Sequence, residues 1–192
     1  MRQKRSGHAL PVIIILLIAV LLGFGFELAC TGTERLTHTR KYPALVGDYS
    51  AQFGVPEAMI YTMIKVESNF DSTTRGENGE IGLMQLTPQL YTRLATKAHD
   101  TEMNAAALYD PDTNIRYGTM YLSELYTKYG MWSTVYAAWY AGEEAVDAWL
   151  QDPACVDPDF GTLQTIPDKQ ITKAVKKAVR TQELYEKLYY AK

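Results

Sequence analysis

The stretch from Val55 to Pro88, VPEAMIYTMIKVESNFDSTTRGENGEIGLMQLTP, constrains the chain more than any other. It reads as a helix, then a polar loop, then a Gly-Leu-Met-Gln turn. Pro56 suits the first helical position, where a missing N–H costs nothing, and Glu57 suits the positive end of the helix dipole. Met59, Ile60, Met63 and Ile64 then recur at helical spacing on one face. Glu67 follows on that same face, so a carboxylate continues an apolar stripe.

Two environments fit such a glutamate. At the frayed end of a helix it points into solvent, the ordinary fate of glutamate on an amphipathic helix. Held against apolar groups instead, its charged form is disfavoured, and it becomes a carboxylic acid able to donate a proton near neutral pH. Periodicity alone does not choose between them.

The chain begins MRQKRSGH and continues with eighteen uncharged residues from Ala9 to Phe26. A basic flank before an apolar run of this length predicts a transmembrane helix, residues 9–26, with 1–8 in the cytoplasm and everything after it outside. A secretory signal has a shorter apolar core and small residues at its cleavage site, so an uncleaved anchor is the preferred reading. Leu28-Ala29-Cys30 resembles a lipoprotein processing site, but Glu27 is unfavourable there. Residues 27–41 read as a linker and 42–192 as one folded domain.

The 192 residues carry a net charge of −3, which becomes −6 once Arg2, Lys4 and Arg5 are set aside. An acidic domain with no basic stripe is a poor nucleic-acid binder, and none is expected as a partner. Cys30 and Cys155 would lie on the exported side, where a bridge between them could persist. Neither has neighbours at metal-ligand spacing, and His8, His38 and His99 are scattered, so no metal and no cofactor is expected.

Along the rest of the chain the signals are helical, and the fold class is mainly α. Leu45, Val46, Tyr49 and Phe53 share a face before Gly54. Thr87 is a helix N-cap with Pro88 at the first helical position. Asp110-Pro111-Asp112-Thr113-Asn114 feeds another helix, in which Gly118 implies close packing. Trp132 to Leu150 is helical in pattern around Ala141-Gly142, and residues 151–165 form a loop. A last helix begins near Asp168, with Ile171, Val175, Ala178 and Tyr185 inward and Lys169, Lys173, Lys176, Lys177 and Arg180 elsewhere. Those cations form a solvated face or a contact with anionic polymer or lipid.

From Tyr42 to Tyr189 the chain resembles the lytic transglycosylases with a goose-lysozyme-like catalytic domain, the soluble lytic transglycosylase type. The resemblance rests on Glu67-Ser68-Asn69-Phe70, on Gly82-Leu83-Met84-Gln85-Leu86-Thr87-Pro88, and on Asp110-Pro111 with Asn114-Ile115, Gly118 and Tyr121-Leu122. Ala141-Gly142 and Ile166-Pro167 match later motifs. It implies a helical lysozyme-like domain with a cleft for peptidoglycan glycan strands and Glu67 as the single catalytic acid and base. By the same resemblance Ser68, Met84, Gln85 and Tyr140 are expected at the saccharide, Gln85 through hydrogen bonds and Met84 through apolar contact.

Four positions depart from the family pattern. Gly76 stands where a serine near the glutamate is usual. Trp139-Tyr140-Ala141-Gly142 replaces Tyr-Asn-Ala-Gly, with Tyr140 expected to face Glu67 and Trp139 its core-packing rival. Gln170 replaces a glutamate, and Glu77 and Glu80 add charge beside the cleft. Trp139, Gln170 and Glu80 are therefore supporting candidates.

The expected protein is a single-pass, membrane-anchored lytic transglycosylase acting outside the cytoplasm. It would cleave between N-acetylmuramic acid and N-acetylglucosamine to leave a 1,6-anhydro end. The alternatives are a hydrolytic muramidase, for which Glu80 could activate water, and a non-catalytic wall-binding scaffold. The partners are the glycan strands, the membrane and an unidentified envelope machine.

Overall fold

A computed structural model describes residues 33–101 and 103–191, together with Ile13, Ala19 and Val20. The expected span over residues 9–26 therefore lies almost wholly outside the described residues, as does Cys30. Among the described residues, no helix is long and apolar enough to cross a membrane. The chain divides between Thr39 and Arg40 into two units. In the first, residues 33–37 form a short helical segment within the expected linker.

The second unit is built of seven α-helices among the described residues: α1 (Pro43–Phe53), α2 (Glu57–Glu67), α3 (Pro88–Lys97), α4 (Pro111–Tyr129), α5 (Trp132–Ala141), α6 (Glu143–Trp149) and α7 (Lys169–Tyr185). A 3-10 turn (Ala105–Tyr109) precedes α4, and a π-helical turn (Glu186–Tyr190) follows α7. The polar loop after α2 carries only isolated bridges, Arg75 to Ile81 and Ile81 to Leu86.

Local chemistry sets most boundaries. The Thr87 hydroxyl accepts from Leu90 N–H at the start of α3, and the Asp110 carboxylate accepts from Thr113 N–H at the start of α4. Pro56 is the N-cap of α2, so the helix begins at Glu57, one residue later than the sequence suggests. The run from Trp132 to Leu150 is two helices, because Gly142 takes φ 85° and ψ 156°, which no helix accommodates.

α2 lies at the centre. Ala58 to Ile64 are buried without interruption, so the helix is enclosed on all sides rather than along one stripe. The Thr62 hydroxyl meets its hydrogen-bonding need within the helix by donating to Ala58 O at 2.7 Å. α7 packs on both α2 and α5. Tyr61 stacks on Tyr185 with ring centres 5.6 Å apart, and the Tyr136 hydroxyl donates to Gln182 Oε1 at 2.8 Å. α1 is tied to α4 where Ser123 Oγ donates to Phe53 O and Tyr49 donates to Asp112. α7 thus bridges α2 and α5.

Candidate active site

Glu67 is the last residue of α2. Desolvation by burial pushes its carboxyl up from 4.5 to about 7, against the opposing pull of a hydrogen bond with Tyr140 and the positive charge of Lys177; Glu80 adds to the rise. Burial dominates because the apolar surroundings of α2 stabilise the ionised form less than water does. Tyr140, brought by α5, donates to the Glu67 carboxyl, and its own hydroxyl is pushed up by burial and by the adjacent negative charge. Lys177, from α7, donates through Nζ to Val66 O at 3.1 Å. Periodicity did not point to this lysine, which from sequence was one of five surface cations.

The chain turns sharply after Glu67. Asn69 and Phe70 both have positive φ, 52° and 67°, with Phe70 buried and Lys65 Nζ donating to Asn69 Oδ1 at 2.5 Å. Two left-handed non-glycine residues in a row are costly and persist only where the surroundings enforce them. Here the enforcing contact is Ser68, whose buried hydroxyl donates to Leu83 O at 2.8 Å and so ties the helix end to the Gly-Leu-Met-Gln turn. Ser68, expected at the saccharide, has its hydroxyl committed to that tie.

Asn114 holds the turn from the other side. Fully buried, it accepts from Met84 N–H at 2.7 Å and donates to Ile81 O at 2.9 Å and Leu108 O at 2.8 Å. Gly82 makes this possible: its φ is 81°, and a Cβ there would lie 2.2 Å from both Asn114 Nδ2 and Leu108 O. Sequence reasoning used Asn114 only as a point of resemblance. A buried asparagine with three backbone partners is a clamp, and its signal in sequence was a polar residue on the inner face of a helix.

Met84 has no exposed surface, and a Cβ on Gly118 would lie 2.3 Å from its sulfur. Met84 is packed beneath the turn against α4, in the space a glycine leaves. Gln85 stays partly exposed, with φ 49°. Its Nε2 donates to Gly82 O at 2.7 Å and Thr74 O at 3.1 Å, which directs Oε1 towards Gly76.

Glu80 fills the space above Gly76, where an added Cβ would lie 2.2 Å from Glu80 Oε2. Burial pushes the Glu80 carboxyl up, but hydrogen bonds from its own backbone and from Asn78 outweigh this and hold it below its ordinary value. Trp139 turns away from Glu67 and packs on Tyr121 with ring centres 5.3 Å apart. Gln170 is exposed in the first turn of α7, its N–H donating to the Asp168 cap at 2.6 Å. Two hollows of about 560 and 570 Å³ lie elsewhere, one lined by Asp100, Arg116 and Tyr117 and the other by Glu57, Glu186 and Tyr190. Neither is lined by Glu67, Tyr140 or Gln85.

The arrangement is a lone carboxylic acid, neutral up to about pH 7, presented beside a rigid turn. Known proteins resemble the chain in sequence and in fold. The membrane-bound lytic murein transglycosylase C of Haemophilus influenzae is 33% identical over 130 residues, 67% of this chain and 33% of that protein. Its namesake from Glaesserella parasuis is 29% identical over 130 residues, 67% of this chain and 32% of that protein. The chain thus spans about a third of the length of these relatives. An inactive mutant of the lytic transglycosylase Slt from Pseudomonas aeruginosa superposes with a TM-score of 0.72 at 26% identity, over 80% of this chain and 25% of that one. The 70 kDa soluble lytic transglycosylase of Escherichia coli does so with a TM-score of 0.75 at 24% identity, over 82% of this chain and 26% of that one, a likeness of fold. The family model described as transglycosylase SLT domain matches residues 44–157, and the chain belongs to that family.

Proposed function

We propose that this protein is a membrane-associated lytic transglycosylase of the peptidoglycan, with Glu67 as its one acid and base. The observation that carries the reading is the state of Glu67, held protonated to about pH 7 by burial and oriented by the Tyr140 hydroxyl. A neutral acid donates its proton to the glycosidic oxygen between N-acetylmuramic acid and N-acetylglucosamine, and that bond breaks. The neighbouring acetamido group stabilises the oxocarbenium-like centre. Glu67, now ionised beside Lys177 and Tyr140, takes the proton of the sugar's 6-hydroxyl as that oxygen closes a 1,6-anhydro ring. The proton lost in the first half-reaction returns in the second.

The names of the relatives support membrane association, and the apolar run at residues 9–26 supplies a single-pass anchor with the domain outside. Gln85, partly exposed in the clamped turn, is the saccharide-facing residue of this reading.

Hydrolysis is the second reading, favoured by Glu80: a carboxylate above Gly76, within electrostatic reach of Glu67, could activate water. Digesting purified sacculi with the protein and weighing the fragments separates the two. Products of 1,6-anhydro mass are expected; products with reducing ends would replace the transglycosylase reading by the muramidase one. Binding without fragments would favour a scaffold. Glu67→Gln should lower turnover by at least about a hundredfold, the usual worth of a positioned general acid.

A further inference from the structure

The cations of the folded unit are unevenly used. Arg93, Lys97, Arg116 and Lys128 are each paired with carboxylates. Lys169, Lys173, Lys176, Lys177 and Arg180 are all exposed, and none forms an ion pair among the described residues. At about 100° per residue these five fall within a strip about 100° wide, and it runs about 16 Å along α7. Of the buried residues of α7, Val175, Ala178 and Tyr185 lie on the opposite side and Thr181 on a flank. Most of the strip faces away from the core, while Lys177 at its edge reaches back to Val66 O of α2, and no acidic residue lies in it.

Two further observations bear on what meets this face. The protein is acidic overall, at −6 without its first three cations, so five positive charges in one place leave the remaining surface strongly negative. A polyanionic surface is therefore favoured along α7 over the acidic remainder, which biases the docking orientation. Between the lysine stems lies a hollow of about 310 Å³, lined by Lys169, Thr172, Lys173 and Lys176, in which a phosphate could be flanked by ammonium groups.

We propose that the exposed strip of α7 docks on the surface of an anionic phospholipid bilayer. This rests on the reading that residues 9–26 insert in a membrane. Fifteen linker residues then tether the domain to that bilayer with a reach of at most about 50 Å. A convex face directed away from the core suits a flat surface better than a strand lying in a cleft. Because Lys177 also touches the residue before Glu67, docking holds the catalytic end of α2 close to the lipid surface.

The test uses the full chain reconstituted in vesicles of phosphatidylcholine, or of phosphatidylcholine with equimolar phosphatidylglycerol. Co-flotation with the neutral vesicles reports the anchor alone, and its absence would remove the reading on which the proposal rests. Acetylation by an amine-reactive reagent, read residue by residue by mass spectrometry, reports docking. Lys169, Lys173 and Lys176 should react about fivefold more slowly in the anionic vesicles, equivalent to about 1 kcal/mol per lysine at an anionic surface. Lys97, paired with Glu124, should be unchanged. Added salt should remove the protection. Equal rates in the two vesicles with flotation intact would overturn the proposal. So would protection by soluble glycan strands in neutral vesicles, which would assign the strip to the substrate. The triple replacement of Lys169, Lys173 and Lys176 by Gln should abolish lipid-dependent protection at Lys177 and leave cleavage of soluble glycans unchanged.

Discussion

Glu67 is where sequence and environment meet. Its folded carboxyl sits at about 7, above the 4.5 expected of an open chain, so between those values the folded state holds a proton that the unfolded state has lost. Stability contributed by the neutral acid is therefore full below about pH 4.5, falls as pH rises through the window, and stays lower above pH 7. Replacing Glu67 by Gln removes the charge burial, which is worth up to about 3 kcal/mol. The Glu67→Gln protein should melt several degrees higher than the parent at pH 8 and equally at pH 4, read by calorimetry. The alkaline limb of activity should lie near pH 7. Glu80→Gln removes a like charge and should move that limb to lower pH, whereas Lys177→Gln removes an opposite charge and should move it higher. Both shifts should stay under about one pH unit, because Lys177 and Glu80 sit where water screens them. Limbs moving in the same direction would assign the titration to another group.

At the scale of elements, the site depends on a turn held from two sides, by Ser68 at the end of α2 and by Asn114 at the start of α4. Replacing Asn114 by Ala leaves three buried backbone groups, Met84 N–H, Ile81 O and Leu108 O, without that partner. At about 1 kcal/mol or more for each unmet group, the loss should reach at least about 3 kcal/mol, measured by the urea midpoint. Gly118→Ala should cost less, about 1–3 kcal/mol, since only the Met84 side chain has to move. Much of this framework was legible in sequence: the cap at Thr87, the turn from Asp110 into α4, the turn at 82–85 and the close approach at Gly118 are local or nearly so. The burial of α2 on every side was not, because Tyr61 and Thr62 look like the polar flank of a stripe until α7 covers them.

For the whole molecule, the core lies in residues 40–192, and the apolar run at the start is separate in sequence. A chain beginning at residue 31 should therefore cleave soluble glycan strands at the rate of the full chain while moving from the membrane to the soluble fraction, read by fractionation and fragment analysis. A lower rate on soluble strands would give the N-terminal residues a part in the site itself.

By itself the sequence determined the helical class, the order of helices and turns and the family likeness, and it placed Glu67 on an apolar face, because each is written in short-range spacing. Tertiary structure decided the environment of that carboxylate. Only the packing of α5 and α7 on α2 chose Tyr140 over Trp139 as its partner, brought Lys177 to its edge and took Met84 into the core. Those outcomes depend on which faces of distant helices meet. Desolvation, the largest influence on Glu67, is a property of that meeting rather than of any residue's place in the chain.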